Sequence, residues 1–198
     1  MDLTNVNKDR KAKHKTPVDV STMVYGKVPP QAKDLEVVVL GAIMLEKGAY
    51  DVVADILKPE AFYMEAHQAI FSAAMALQSK YMPIDIMTVV EELRTREELE
   101  RVGGPYYVMT LTNSVISSAN IEAHARIIAQ KYLQRELIRI GGEMIADAYS
   151  DSSDVFDVIE DTEKKITELT TSNIQKDYQD ISTVTMQQVA RIEEIRNS

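Results

Sequence analysis

The sequence predicts an all-α fold: a small multi-helix globular body, then a long helical hairpin, then a tethered linker helix. Three observations predict it. Apolar residues recur at about 100° per residue along most of the chain, and no stretch reads as a convincing strand. Proline and glycine punctuate it at Val28-Pro29-Pro30, Lys58-Pro59, Pro83 and Gly103-Gly104-Pro105, leaving short helical segments between. Between Asn120 and Thr171 run two long helical patterns joined by the turn-formers Ser150, Asp151, Ser152 and Ser153.

Taken in order, residues 1–28 lack apolar periodicity and read as a flexible basic leader, stopped in extended conformation by Pro29-Pro30. The body is expected over 29–118. Its first helix, about Gln31 to Leu45, puts Leu35, Val38, Val39, Ala42 and Ile43 on one face, and Lys47-Gly48 ends it. A short helix around Tyr50–Leu57 offers Tyr50, Val53, Ile56 and Leu57. A third, about Glu65–Lys80, buries Ile70, Phe71, Ala74, Met75 and Leu77. Asp85 caps a helix bearing Ile86, Val89, Val90 and Leu93. A polar helix or turn over Arg96–Arg101 leads to the glycine pair, and Tyr106–Val115 turns Tyr107, Val108 and Leu111 inward.

The hairpin is expected over 119–171, with Asn120 capping its first arm and Ser153 or Asp154 its second. The second arm has one narrow apolar stripe: Val155, Val158, Ile159, Ile166 and Leu169. The first arm is apolar over about half its circumference, through Leu133, Leu137, Ile138, Ile140, Gly141, Met144, Ile145, Ala148 and Tyr149. Arg135, Glu136, Arg139, Glu143 and Asp147 keep to the other half. One partner arm covers about 100° of a helix, so apolar surface is left over. Gly141 and Gly142 weaken the helix by about 1 kcal/mol each relative to alanine, and permit close backbone approach. The hairpin is therefore expected to be an oligomer interface as well. A polar linker, 172–181, precedes a last amphipathic helix over 182–198 carrying Val184, Val189, Ile192 and Ile195. Such a helix on a tether docks into a groove on something else.

Length and charge narrow the function. A chain of 198 residues without cysteine can bury a real core, and has neither disulfides nor thiolate metal sites, as suits the cytoplasm. No apolar run has the length of a membrane span. Of 22 Lys/Arg and 31 Asp/Glu, six and three fall within residues 1–28, leaving 16 and 28 in the rest, a charge of −12 on the body. An acidic body is a poor phosphate binder, which argues against a small helical nucleic-acid-binding regulator using residues 8–15 as a basic arm.

Motifs for chemistry are lacking. No GxxxxGK[ST] or GxSxG occurs, so no catalytic or cofactor-binding residue is assigned. His67 and His124 each stand in Glu-Ala-His, and spacing i, i+2 splays the two side chains about 200° apart, so no metal ligand set is assigned either. Both histidines are expected to be satisfied or solvent-facing. The tyrosines Tyr63, Tyr81, Tyr106, Tyr107, Tyr132 and Tyr149 are expected to pack between helices with a wet hydroxyl.

The order of segments resembles the N-terminal half of the bacterial replicative DNA helicase family DnaB. The likeness rests on Val28-Pro-Pro30 opening into Leu35-Glu-Val-Val-Val-Leu-Gly-Ala-Ile-Met44, and on Phe62-Tyr63 followed by His67-Gln-Ala-Ile-Phe71. It continues through Pro83-Ile-Asp85, Thr88-Val-Val-Glu-Glu-Leu93, Val102-Gly-Gly104 before Tyr107, Ser118-Ala-Asn120 and Val189-Ala-Arg-Ile-Glu193. The resemblance implies a collar on a hexameric ring, built from hairpins that pair head to head into a trimer of dimers. It implies the primase DnaG as a partner, with a helicase loader as another, and contact with DNA only through the full ring. The linker helix would dock on a neighbouring motor domain. ATP and magnesium would belong to a RecA-like C-terminal domain that is absent here, so this piece is expected to have no helicase activity of its own. By the same resemblance, Leu137, Ile138, Gly141, Met144, Ile145, Tyr149 and Phe156 match the pairing region, and Val184, Val189, Ile192 and Ile195 the docking helix. The primase contact is expected near Tyr106–Val115 and Ser118–Ile121.

Overall fold

The computed structural model describes residues 27–171, apart from 116 and 118, and among them there is no strand. The fold is all-α. Seven helices follow one another as α1 (Lys33–Leu45), α2 (Ala49–Ala54), α3 (Glu65–Ser79), α4 (Ile86–Thr95), α5 (Leu99–Val102), α6 (Gly104–Asn113) and α7 (Ile121–Ala148). An eighth, α8, spans 155–171. A 3-10 turn, Pro59–Ala61, lies between α2 and α3.

The run LEVVVLGAIM makes α1 the central helix. A stretch so continuously apolar cannot face water on any side, and α1 packs against α6, α7 and α3. The single inward face read from the sequence is therefore too narrow. Val39, Leu40, Gly41, Ala42, Ile43 and Met44 are all buried, while Leu35 and Val38 are half-buried. Gly41 is what lets α6 come close. A Cβ there would collide with the Leu111 carbonyl oxygen and a Val115 methyl group. Phe62, Phe71, Ile70, Val53, Leu93, Val108 and Leu111 complete the core, with the Phe62 and Phe71 rings 5.0 Å apart. Met75 is exposed rather than buried.

Local signals act at several helix ends. Asp85 caps α4 in a capping box: the Thr88 N–H donates to Asp85 Oδ1 (2.9 Å), and the Asp85 N–H donates to Thr88 Oγ1 (3.0 Å). The Asp154 carboxylate accepts from the Phe156 N–H (2.8 Å) just ahead of α8. Asn120 stands at the N-cap of α7 but makes no side-chain cap bond, contrary to expectation.

The root of α7 belongs to the body. Ile121, Ala125 and Ile128, spaced i, i+4, i+7, enter the same core as α1 and α3. Past Tyr132 the helix leaves that core, and after the turn at 149–154 α8 runs back along it, with Lys165 reaching Glu143 (3.1 Å). Among the described residues no helix is long and apolar enough to cross a membrane.

Candidate functional site

Two places bring distinctive side chains together: a buried polar network in the body and the outer face of the hairpin. The network starts at Glu36, 1% exposed on α1. Its carboxylate accepts from the Tyr63 N–H (2.7 Å) at the start of α3, an end that has no cap of its own. The other oxygen lies 2.7 Å from Nδ1 of His67, and Nε2 of His67 lies 2.8 Å from the Tyr107 hydroxyl. Three helices are thus pinned by one chain of contacts. Burial raises the Tyr107 phenol above its ordinary value, and the negative charge of Glu36 adds to the shift. His67 is fully engaged inside the core, far from solvent.

Arg135 extends this tie to the hairpin. Its guanidinium donates to the Pro30 carbonyl (2.9 Å) and the Ala61 carbonyl (2.6 Å), over the rings of Tyr63 and Tyr132. The sequence places Arg135 on a solvated face; instead it lodges in the body and fixes where the hairpin leaves it. Only its position opposite an apolar helical arc was legible, and a carbonyl partner carries no sequence signal.

Beyond Arg135 the hairpin presents apolar surface to solvent. Leu137, Met144, Ile145 and Tyr149 on α7 are exposed, as are Val155, Phe156, Ile159 and Ile166 on or at the start of α8. Ile138 and Gly141 are half-buried, and Ile140 and Gly142 buried. The single stripe expected on the second arm divides in two. Val158 and Leu169 are half-buried with Thr162 and Lys165, whereas Val155, Ile159 and Ile166 point outward. Gly141 makes no close approach within the chain, since a Cβ there would meet nothing within 4 Å. Val184, Val189, Ile192 and Ile195 lie outside the described residues.

Polar groups clasp the arms together. Glu143 accepts from Arg139 (2.6 Å) and Lys165 (3.1 Å), and Lys165 also reaches Asp161 (2.5 Å). Burial pushes the Glu143 carboxyl up, but the hydrogen bonds from Lys165 and Arg139 outweigh it and hold it below the ordinary value. Lys165 is raised by its bonds to Asp161 and then Glu143. Three of the tyrosines expected to pack between helices do not: Tyr81, Tyr106 and Tyr149 are exposed. Among the described residues no three His, Cys, Asp or Glu gather as a metal site.

Known proteins give this geometry its context. The chain is 40% identical over 170 residues to a replicative DNA helicase DnaB of Rhodothermus marinus, which covers 86% of this chain and 18% of that one. It is 34% identical over 178 residues to the replicative DNA helicase DnaC of Bacillus subtilis, 90% of this chain and 39% of the other. It thus spans less than two fifths of the length of these curated relatives. Among solved structures, the N-terminal domain of DnaB helicase from Mycobacterium tuberculosis superposes with a TM-score of 0.68 at 35% identity, over 71% of this chain and 99% of that one. A DnaB-like replicative helicase, solved with its interactions with primase, shares the fold at a TM-score of 0.58 and 22% identity, over 76% and 35% of the two chains. Residues 28–130 match the DnaB-like helicase N-terminal domain, and the chain belongs to that family.

Proposed function

We propose that this chain is an oligomerisation and primase-contact collar of a replicative helicase, joined to a motor domain through its last helix. The observation that carries the proposal is the apolar outer face of the hairpin. Leu137, Met144, Ile145, Tyr149, Val155 and Phe156 are all exposed along the part of the clasped hairpin that lies beyond Arg135. A monomer gains nothing by exposing such a flank, whereas a second copy would bury it at roughly 25 cal/mol per Å². Gly141, open on its Cβ side, leaves room for a partner's side chain.

A primase contact near the junction of body and hairpin is supported by the exposed Tyr106 and Met109 on α6, and by the fold shared with a helicase known for its interactions with primase. Motor docking through Val184, Val189, Ile192 and Ile195 rests on the amphipathic pattern and the family alone. In this reading ATP hydrolysis belongs to the motor, and this piece has none.

Solution mass across a concentration series tests the pairing. The expected result is a mass that rises with concentration in the parent and stays monomeric in Ile145→Glu, with unchanged helix content. A parent that remains monomeric at high concentration would sink the collar. Replacing Ile192 or Ile195 by aspartate should leave this chain folded and uncouple the two tiers in a chain that carries the motor.

A further inference from the structure

The free apolar residues of the hairpin's two helices lie in surroundings of different chemistry. On α7 the exposed Leu137, Met144 and Ile145 align with Gly141 and Ala148, and no charged residue falls among them on that side of the helix. On α8, Ile159 and Ile166 stand two turns apart, 54% and 42% exposed, and within about 20° of one another at about 100° per residue. Val155 continues their line to the turn. On one side of this line the helix is packed, through the half-buried Val158, Thr162 and Leu169. On the other side stand Glu163 and Glu160, both exposed, about 40° and 100° round from Ile159.

That acidic border is not neutralised. Among the described residues neither Glu160 nor Glu163 has an ion-pair partner, in contrast to Glu143 and Asp161, which Arg139 and Lys165 occupy. From Ile140 to Glu163 the chain contains no Lys or Arg, and Lys164 lies about 140° round from Ile159, on the far side of Glu160. An apolar line with a negative border is the complement of a helix whose apolar line has a positive border. A second copy brings a body of charge −12, so acid would meet acid at this face. Nucleic acid and anionic lipid are turned away by the same carboxylates.

We infer that the outer face of α8 docks a basic amphipathic helix of another protein, with its apolar residues on Ile159 and Ile166 and its Lys or Arg side chains on Glu160 and Glu163. A helix of that kind presents apolar residues at i, i+3 or i+4 and i+7, which matches the spacing of the two isoleucines. The isoleucines hold the complex, while the carboxylates steer the encounter and set which way round the helix lies. The pairing proposed above uses α7 and the residues beside the turn. Ile159 and Ile166 have no occupant in it, so the two readings stand or fall separately.

Fluorescence anisotropy of a labelled probe tests this on the full chain. The probe is a synthetic helix about as long as α8, with Leu at i, i+4, i+7 and i+11 and Lys beside them. One control peptide scrambles its order and a second carries Glu for every Lys. The probe should bind at least about tenfold more tightly than either control. Glu160→Lys with Glu163→Lys, and Ile159→Ser with Ile166→Ser, should each weaken it about tenfold or more, while Ile145→Glu leaves it unchanged. Circular dichroism checks the helix content of every variant. The charge reversal breaks no ion pair, so it keeps the test open should the serines fray α8. A parent that does not bind the probe, equal binding of the scrambled peptide, or binding indifferent to all four changes on α8 overturns the docking face. Binding that appears only in Ile192→Asp also overturns it, by giving the face to the chain's own last helix. Sedimentation separates this reading from the pairing. Self-association lost through the α8 changes would put a second copy on the face and end the proposal. Probe binding by a chain that never self-associates keeps the docking face and removes the pairing, and a mass that rises with concentration without probe binding does the reverse.

Discussion

Tyr81 and Glu97 stand just past the ends of α3 and α4 with φ of 56° and 59°, in the left-handed region that glycine fills most easily. Both ends close in the same way: the Met82 N–H donates to the Leu77 carbonyl and the Tyr81 N–H to Gln78, and Glu98 and Glu97 repeat the pattern onto Leu93 and Arg94. Tyr81 is 98% exposed, so its ring packs on nothing that would be lost. Tyr81→Gly is expected to stabilise the body by up to about 1 kcal/mol, the relief of left-handed strain less glycine's greater freedom when unfolded; a denaturant midpoint checks it. His67 is the opposite case. Removing it as His67→Ala leaves the buried Glu36 side chain with one fewer hydrogen-bond partner, a loss expected at up to about 3 kcal/mol. Tyr107→Phe, which deletes only the outer hydroxyl, should lose about 1 kcal/mol. If the two variants unfold alike, the carboxylate is not the centre of the network.

At the scale of elements, the hairpin's arms are clasped by Glu143 and Lys165 while its apolar flanks look outward. The two groups titrate with opposite signs. Glu143 has its folded value below its ordinary one, so its contribution is present above the ordinary carboxylate value and is lost as pH falls through the lowered one. Lys165 has its folded value above its ordinary one, so its contribution is complete below the ordinary lysine value and is lost as pH rises through the raised one. The hairpin should therefore hold its helix best between those limits and loosen in acid before the body does. Circular dichroism of Glu143→Gln should show a shallower acid loss than the parent. Both groups are partly exposed, so the difference at neutral pH is expected to stay below about 1 kcal/mol. The longer helices were legible in spacing and punctuation, as Asp85 at the start of α4 illustrates, while the region of α5 was left open as a helix or a turn. The left-handed ends were not, because Tyr and Glu give no sign of a positive φ. The tight crossing at Gly41 was hidden as well, since what a glycine admits depends on the helix that approaches it.

For the molecule as a whole, burial is uneven. The core runs through α1, α3, α4, α6 and the root of α7, and most of α8 is exposed. Opening free energy follows buried contacts, so amide exchange should be slowest in α1 and α3 and faster by orders of magnitude through 155–171. A second copy on the flank should slow exchange there as concentration rises. Uniform protection from α1 to α8 would contradict this gradient.

The sequence by itself determined that the chain is helical, where its helices break, which family it resembles, and that the hairpin carries more apolar surface than one arm can cover. Those properties follow from local periodicity and composition, which neighbours along the chain decide. Tertiary structure alone decided which side of that surface is free. It also turned Arg135 into the pin of the hairpin and drew His67 into the core beside Glu36. Such choices depend on carbonyls and carboxylates brought from 31 to 105 residues away, and no spacing within a helix encodes them.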